Sequence, residues 1–287
     1  MNKHLLLTIG DDPSYLYGIR FVNSFFKNKE DLSLTLFYVT PRPGDGTFIN
    51  TFEQHQLDEK LVEEARGRAQ RVIEEIKKKL VEDGFNPEKV ICKLLAKRLG
   101  AVRDIVDEGR VGLYDAIVLG RRGYKVFESV LYSSVTRQVL EKHLDAPIWI
   151  CRQPEDNRRH VLLCVDGSET AYRAADHVGF ILKNQPHHSI TLLNVDVGEG
   201  IWEGGIFAEA TKRLVENGIA EDRISTLMVE SHKVARTIIL EAEKGSFAAV
   251  AIGRVGRNKP MIKEWLVGSR AKQLLEDLKG AALWITG

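Results

Sequence analysis

The residues best suited to chemistry stand just beyond short apolar runs. Val165-Asp166-Gly167-Ser168-Glu169-Thr170 closes one such run and leads into a helical pattern from Ala171. A carboxylate there accepts hydrogen bonds from a ligand amine or hydroxyl. Asp166 equally suits capping of the next helix, with Gly167 making a tight turn, and the residues alone do not choose. Two further runs end in paired glycines, Gly120-Arg121-Arg122-Gly123 and Gly253-Arg254-Val255-Gly256. Such glycines permit positive φ and let backbone N–H groups approach a ligand, or they make a plain turn. The next helical patterns open at Ser133-Ser134 and Gly268-Ser269, where unpaired N–H donors and a partial positive charge suit phosphate. A helix dipole supplies about 0.3–2 kcal/mol, whereas micromolar binding requires about 8 kcal/mol. Several contacts must therefore add, with Arg121, Arg122 and Lys125 or Arg254, Arg257, Lys259 and Lys263 as contributors. Taken singly, each of these reads as a solvated loop charge.

Other chemistries lack their residues. No Gly-x4-Gly-Lys-Ser/Thr occurs, so fast phosphoryl transfer is not expected, and no Gly-x-Ser-x-Gly elbow presents a nucleophile. Gly198-Glu199-Gly200-Ile201-Trp202-Glu203-Gly204 misses the dinucleotide fingerprint by one residue and follows a second strand. It reads as a loop, like Pro43-Gly44-Asp45-Gly46. His187 and His188 are expected in a solvated turn rather than at a metal. Cys92, Cys151 and Cys164 show no C-x-x-C spacing, which argues against a zinc site or a disulfide framework.

The elements that position these residues come in two sets. At an offset of 156, His4–Ile9 falls on His160–Val165 and Leu34–Val39 on Ile190–Val195. From Ile91 to Gly123 the offset is 133, which pairs Gly120 with Gly253 and predicts 23 residues fewer between the second and third strands of the later copy. Beyond that glycine pair it becomes 135, matching Ser134 with Ser269 and Trp149 with Trp284. In the first copy, β-branched apolar runs at 4–9, 33–39, 90–96, 114–119 and 147–151 read as strands covered on both faces. Leu57, Leu61, Ala65, Ala69, Val72, Ile76 and Leu80 form one helical stripe, read as a helix covering the sheet in preference to a coiled coil. Leu99–Val106 and Val135–Leu144 add two more amphipathic helices. Strands and helices in alternation make a doubly wound parallel sheet, whose ligands sit beyond the carboxyl ends where strand order reverses.

The chain resembles a tandem universal stress protein, a family whose domain carries a first strand ending in Asp and the pattern Gly-x2-Gly-x9-Gly-Ser/Thr before the last helix. The likeness covers nearly the whole chain, twice. It implies an adenine-nucleotide alpha-hydrolase-like α/β fold, with adenine at the Asp and the second strand's end, ribose and phosphates at the glycines and Gly-Ser, and domains paired through fifth strands. Carried over, the second copy offers Asp166, Val195, Gly253, Gly256, Gly268 and Ser269, and the first Val39, Gly120, Gly123 and Ser134. Gly167 and Arg254 join the former set from the residues themselves, and Arg121 and Ser133 the latter. The copies depart from the pattern in opposite ways. The first has Gly10 in place of the Asp and Ser133 in place of the last Gly; the second carries eleven residues, Arg257–Val267, in the glycine loop.

The 287 residues, 44% hydrophobic and 28% charged, suit two folded domains, placed at 1–153 and 158–287, and not a disordered chain. A net charge of +1 draws the chain to neither nucleic acid nor an anionic membrane. The N-terminal apolar run is too short for a signal peptide or a span, so the cytoplasm is the expected address. The expected fold is two doubly wound five-stranded parallel sheets about a pseudo-twofold axis. The expected function is binding of ATP or a related adenine nucleotide, with or without Mg²⁺, chiefly in the second domain, as a stress-response regulator and not an enzyme. A homodimer is compatible with this. The alternatives are a scaffold that binds no nucleotide and acts through protein contacts, and a slow ATP hydrolase.

Overall fold

A computed structural model describes residues 2–10, 16–40, 52–120, 146–198, 205–254 and 269–287, apart from the side chains of 52–59 and 269. The first copy runs β1 (Lys3–Ile9), α1 (Tyr17–Phe25), β2 (Leu32–Thr40), α2 (Phe52–Glu82), β3 (Val90–Ala96), α3 (Ala101–Val111), β4 (Ala116–Gly120) and β5 (Ile148–Cys151). The second runs β6 (Val161–Cys164), α4 (Glu169–Leu182), β7 (Ile190–Asp196), α5 (Gly205–Glu216), β8 (Ile224–Glu230), α6 (Val234–Lys244), β9 (Ala249–Gly253), α7 (Ser269–Asp277) and β10 (Ala282–Thr286). The expected helix at 135–144 lies outside the described residues.

The strands form one sheet of ten in the order β3-β2-β1-β4-β5-β10-β9-β6-β7-β8. Each half is parallel and doubly wound, and the halves meet where β5 and β10 pair antiparallel, Trp149 opposite Trp284. Helices α1, α2, α4 and α5 cover one face, and α3, α6 and α7 the other. Burial on both faces explains why the inner strands are unbroken apolar runs. The outermost strands β3 and β8 mix half-buried with exposed residues.

One expectation about register is corrected. Val90 pairs with Leu34, and Ile224 with Ile190, so the third strands correspond at an offset of 134 rather than 133. Matching isoleucines aligned Ile91 with Ile224, but Ile91 is 49% exposed whereas Val90 is buried. A one-residue slip turns every side chain to the other face, so burial decides the register. The second copy is therefore 22 residues shorter between its second and third strands. The remaining residue is lost after them, where 231–233 replaces 97–100 before the helices at Ala101 and Val234.

The seam between the halves is aromatic and fully buried. The Trp149 and Trp284 rings stack at 4.1 Å and 7°, edge-on to Phe21. Burying each indole removes roughly 150–250 Å² from water, about 4–6 kcal/mol apiece. Trp149 Nε1 donates to His177 Nε2 at 2.9 Å, and burial pushes the His177 pKa down to about 3, which keeps the imidazole a neutral acceptor. His187 and His188 are not the solvated turn expected of them. His188 is 3% exposed, stacks on Phe25 at 4.0 Å and places Nε2 2.9 Å from the Phe25 carbonyl oxygen. The other copy covers this turn, which no local pattern reveals. In the connection between copies, Arg152 donates to the Leu274 and Leu275 carbonyls at the end of α7, and Arg158 to Ala242 near the end of α6. The Leu274 and Ala242 carbonyls also accept from the Leu278 and Phe247 amides, so each guanidinium adds a second hydrogen bond at a helix end.

Candidate functional site

Strand order reverses between β6 and β9, which pair through Val161–Ala249 to Leu163–Ala251. Their carboxyl ends, with that of the adjacent β7, bring Asp166, Gly167, Gly253, Arg254 and Val195 to one edge. The connection from β6 to α4 is tightly specified. Gly167 takes φ +79°, a left-handed turn that favours glycine. Asp166 Oδ1 accepts from the Ser168 amide at 3.1 Å and the Ser168 hydroxyl at 2.6 Å. Ser168 is the N-cap of α4, its Oγ accepting from the Ala171 amide at 3.2 Å, with Thr170 Oγ1 3.3 Å away. The capping role foreseen for Asp166 thus belongs to Ser168, with Asp166 holding that hydroxyl in place. A serine directly before a helical pattern was the signal for it.

Gly253 has a packing duty that the sequence did not announce. A Cβ there would lie 2.6 Å from Thr170 Oγ1 and 2.7 Å from the Ala171 amide nitrogen. The missing side chain lets α4 begin directly against the end of β9, so this glycine is required by packing whether or not a ligand approaches. Gly10, which stands in the first copy where Asp166 stands in the second, has nothing among the described residues within 4 Å of its Cβ position.

Arg254 is not a solvated charge. It is 4% exposed, its amide donates to the Thr286 carbonyl at 2.8 Å, and burial lowers its pKa. A guanidinium remains protonated across the physiological range even so, and it places positive charge beside the β9 terminus. Asn194 Nδ2 donates to the Val165 carbonyl at 2.7 Å and ties β7 to the residue before Asp166. Sequence reasoning missed this link, because the matching residue in the first copy is Tyr38. Cys164 ends β6, and burial first, then the charge of Asp166, pushes its thiol well above the ordinary range. It is a poor nucleophile at neutral pH.

In the first copy Val39 and Gly120 hold the corresponding positions on β2 and β4, either side of β1. Arg121, Gly123, Ser133, Ser134, Gly256 and Gly268 lie outside the described residues. Ser269 opens α7. Among the described residues no group of three or more His, Cys, Asp or Glu is placed to hold a metal ion, and no helix is long and apolar enough to cross a membrane.

The edge so built is a turn of fixed geometry at a helix N-terminus, with a carboxylate in front and a buried cation at the neighbouring strand. It offers a carboxylate acceptor and positive charge, and it lacks an activated nucleophile among the described residues. A comparison with curated proteins finds no match to this chain. Among solved structures, a universal stress protein from Archaeoglobus fulgidus DSM 4304 is 18% identical, with a TM-score of 0.72 over 99% of this chain and 97% of that one. A protein described as a universal stress protein from Pseudomonas aeruginosa UCBPP-PA14 is 13% identical, with a TM-score of 0.62 over 99% and 93%. These likenesses show the fold, including both copies. The sequence model of the Universal stress protein family matches residues 1–152 and again 157–280. The chain belongs to the universal stress protein family and carries the family's unit twice.

Proposed function

We propose that the second copy binds an adenine nucleotide, ATP or a close relative, at the carboxyl edge of β6, β7 and β9, and that the protein is a cytoplasmic stress-response regulator that binds without turnover. The observation that carries this reading is the orientation of Asp166. Its carboxylate is held by two hydrogen bonds from Ser168 at the switch point of the sheet, beside the N-terminus of α4. A carboxylate oriented in advance forfeits little rotamer entropy when a ligand amine or ribose hydroxyl arrives. The helix N-terminus and Arg254 supply positive charge nearby for phosphates. Mg²⁺ in this reading rides on the phosphates with its own waters and requires no protein cage.

One observation favours the scaffold reading. Gly253 and Asp166 both have structural duties that hold without any ligand. Titration calorimetry separates the two. The proposal expects one ATP per chain, and at least tenfold weaker binding, about 1.4 kcal/mol or more, in Asp166→Ala. No heat at millimolar ATP, with Asp166→Ala indistinguishable from the parent, leaves the scaffold.

A further inference from the structure

At the amino edge of the first copy's strands, opposite the carboxyl ends, the turn after α1 and the turn after α2 enclose a cleft of about 770 Å³. That volume falls within the roughly 300–1,000 Å³ of small-molecule sites. The two copies build the second of these turns alike and cover it differently. Gly84 (φ +98°) follows α2 and Gly218 (φ +89°) follows α5, and their amides donate back to the Val81 and Val215 carbonyls at 3.0 and 2.8 Å. In the second copy the stem of Lys183 lies over Gly218, its Cε 3.6 Å from where a Cβ would stand. The matching lysine of the first copy, Lys27, leaves Gly84 bare, since a Cβ there would meet none of the described residues within 4 Å. Lys27 is exposed and makes no hydrogen bond or ion pair through its ammonium among the described residues.

The walls are set before any ligand arrives. Gln185, fully buried, accepts from the Lys27 and Asn28 amides at 3.1 and 3.2 Å and fixes the first turn from the other copy. Lys29 Nζ donates to Asn23 Oδ1 at 2.7 Å and to the Asp83 carbonyl at 2.6 Å, which ties the first turn to the second, 4.6 Å from the Phe85 ring centre. Asn28 Oδ1 accepts from the Glu30 amide and Asn86 Oδ1 from the Glu88 amide. Each carboxamide therefore keeps its Nδ2 donors for a ligand. With the Lys27 ammonium they form a donor set that suits one carboxylate. Glu30 and Asp83, both exposed, bring two negative charges to the same cleft. These disfavour a polyanion and accept from an ammonium, while Val81 and Pro87 add apolar surface. We propose that the cleft binds a small zwitterion, an α-amino acid or short peptide, its carboxylate toward Lys27 and the two asparagines and its ammonium toward Glu30 and Asp83. This inference stands apart from the nucleotide reading, which concerns the opposite edge of the sheet.

Amide NMR spectra of the nitrogen-15-labelled full chain test it, with the dipeptide leucyl-leucine as the probe beside its N-acetyl and C-amide derivatives and inorganic phosphate. Millimolar leucyl-leucine is expected to shift the amides of residues 27–30 and 81–86 saturably, and removal of either of its charges should weaken binding. Lys27→Met, at an exposed position that leaves the fold intact, should bind leucyl-leucine and its N-acetyl form about threefold to fivefold more weakly, the scale of one exposed charge pair. The same variant should bind the C-amide as the parent does, because that derivative has no carboxylate to lose. No saturable shift at these residues, equal binding of all three peptides, a Lys27→Met chain indistinguishable from the parent, or phosphate that shifts the same amides as strongly would each overturn the proposal.

Discussion

The two copies share strand order and nearly all register, yet they differ at polar positions of the seam and of the carboxyl edge. At the seam, His177 accepts the indole N–H of Trp149, whereas the matching position in the first copy is Phe21 and Trp284 Nε1 has no partner among the described residues. At the carboxyl edge, Asp166 braces the start of α4, whereas a Cβ on Gly10 would meet none of the described residues. The first copy instead extends α2 and exposes Leu61, Leu99, Val111 and Leu113. Duplication preserved the backbone because both cores require it, and freed each copy's polar positions to diverge.

The largest expected effect is acid. Burial pushes the pKa values of His177 and His188 down to about 3 and about 4 from 6.5. The unfolded chain therefore takes up these protons first. The stabilising contribution is fully present above about pH 6.5 and is lost as pH falls toward the folded values. The loss amounts to up to about 1.4 kcal/mol per pH unit for each such histidine. Urea unfolding at a series of pH values should show this slope. His177→Phe, which copies the first half's residue, should start lower at neutral pH and fall less steeply in acid.

Next in size is the contrast between the tryptophans. Trp149→Phe leaves His177 Nε2 buried without its donor, whereas Trp284→Phe removes an N–H that has no described partner. The former should cost about 1–3 kcal/mol more, and equal losses would refute the asymmetry. At the carboxyl edge, Gly253→Ala forces a Cβ against the Ala171 backbone and should destabilise by about 1–3 kcal/mol, while Gly10→Ala should shift thermal unfolding little. The smallest effect belongs to a matched pair of turns. Leu113 and Ser246 both adopt left-handed backbone, φ 50° and 49°. Leu113 is 88% exposed, so Leu113→Gly forfeits no packing and should stabilise by up to about 1 kcal/mol.

Much of the fold was legible because it rests on periodicity. The five strands of each half come from apolar runs whose lengths suit a buried parallel sheet, and the repeat gave nearly every correspondence. What escaped depends on groups distant in sequence. The register of β3 and β8 is set by which face is covered, and no identity match carries that. His188 is buried by the first copy's Phe25, and Gly253 is required by a helix that begins more than eighty residues earlier. The candidate site was legible as a place, since Asp166, Val195 and Gly253 converge at one edge. It was less legible in its workings. Ser168 and Asn194 hold that edge through hydrogen bonds that residue type alone does not announce.

The most direct test of the central claim, that the later copy keeps the nucleotide pocket, is photo-crosslinking with an azido-substituted ATP followed by peptide mapping. Label confined to peptides of the second copy around residues 165–198 and 249–287, displaced by excess ATP and lost in Asp166→Ala, is the predicted result. Label on the first copy, or none that ATP displaces, would contradict it.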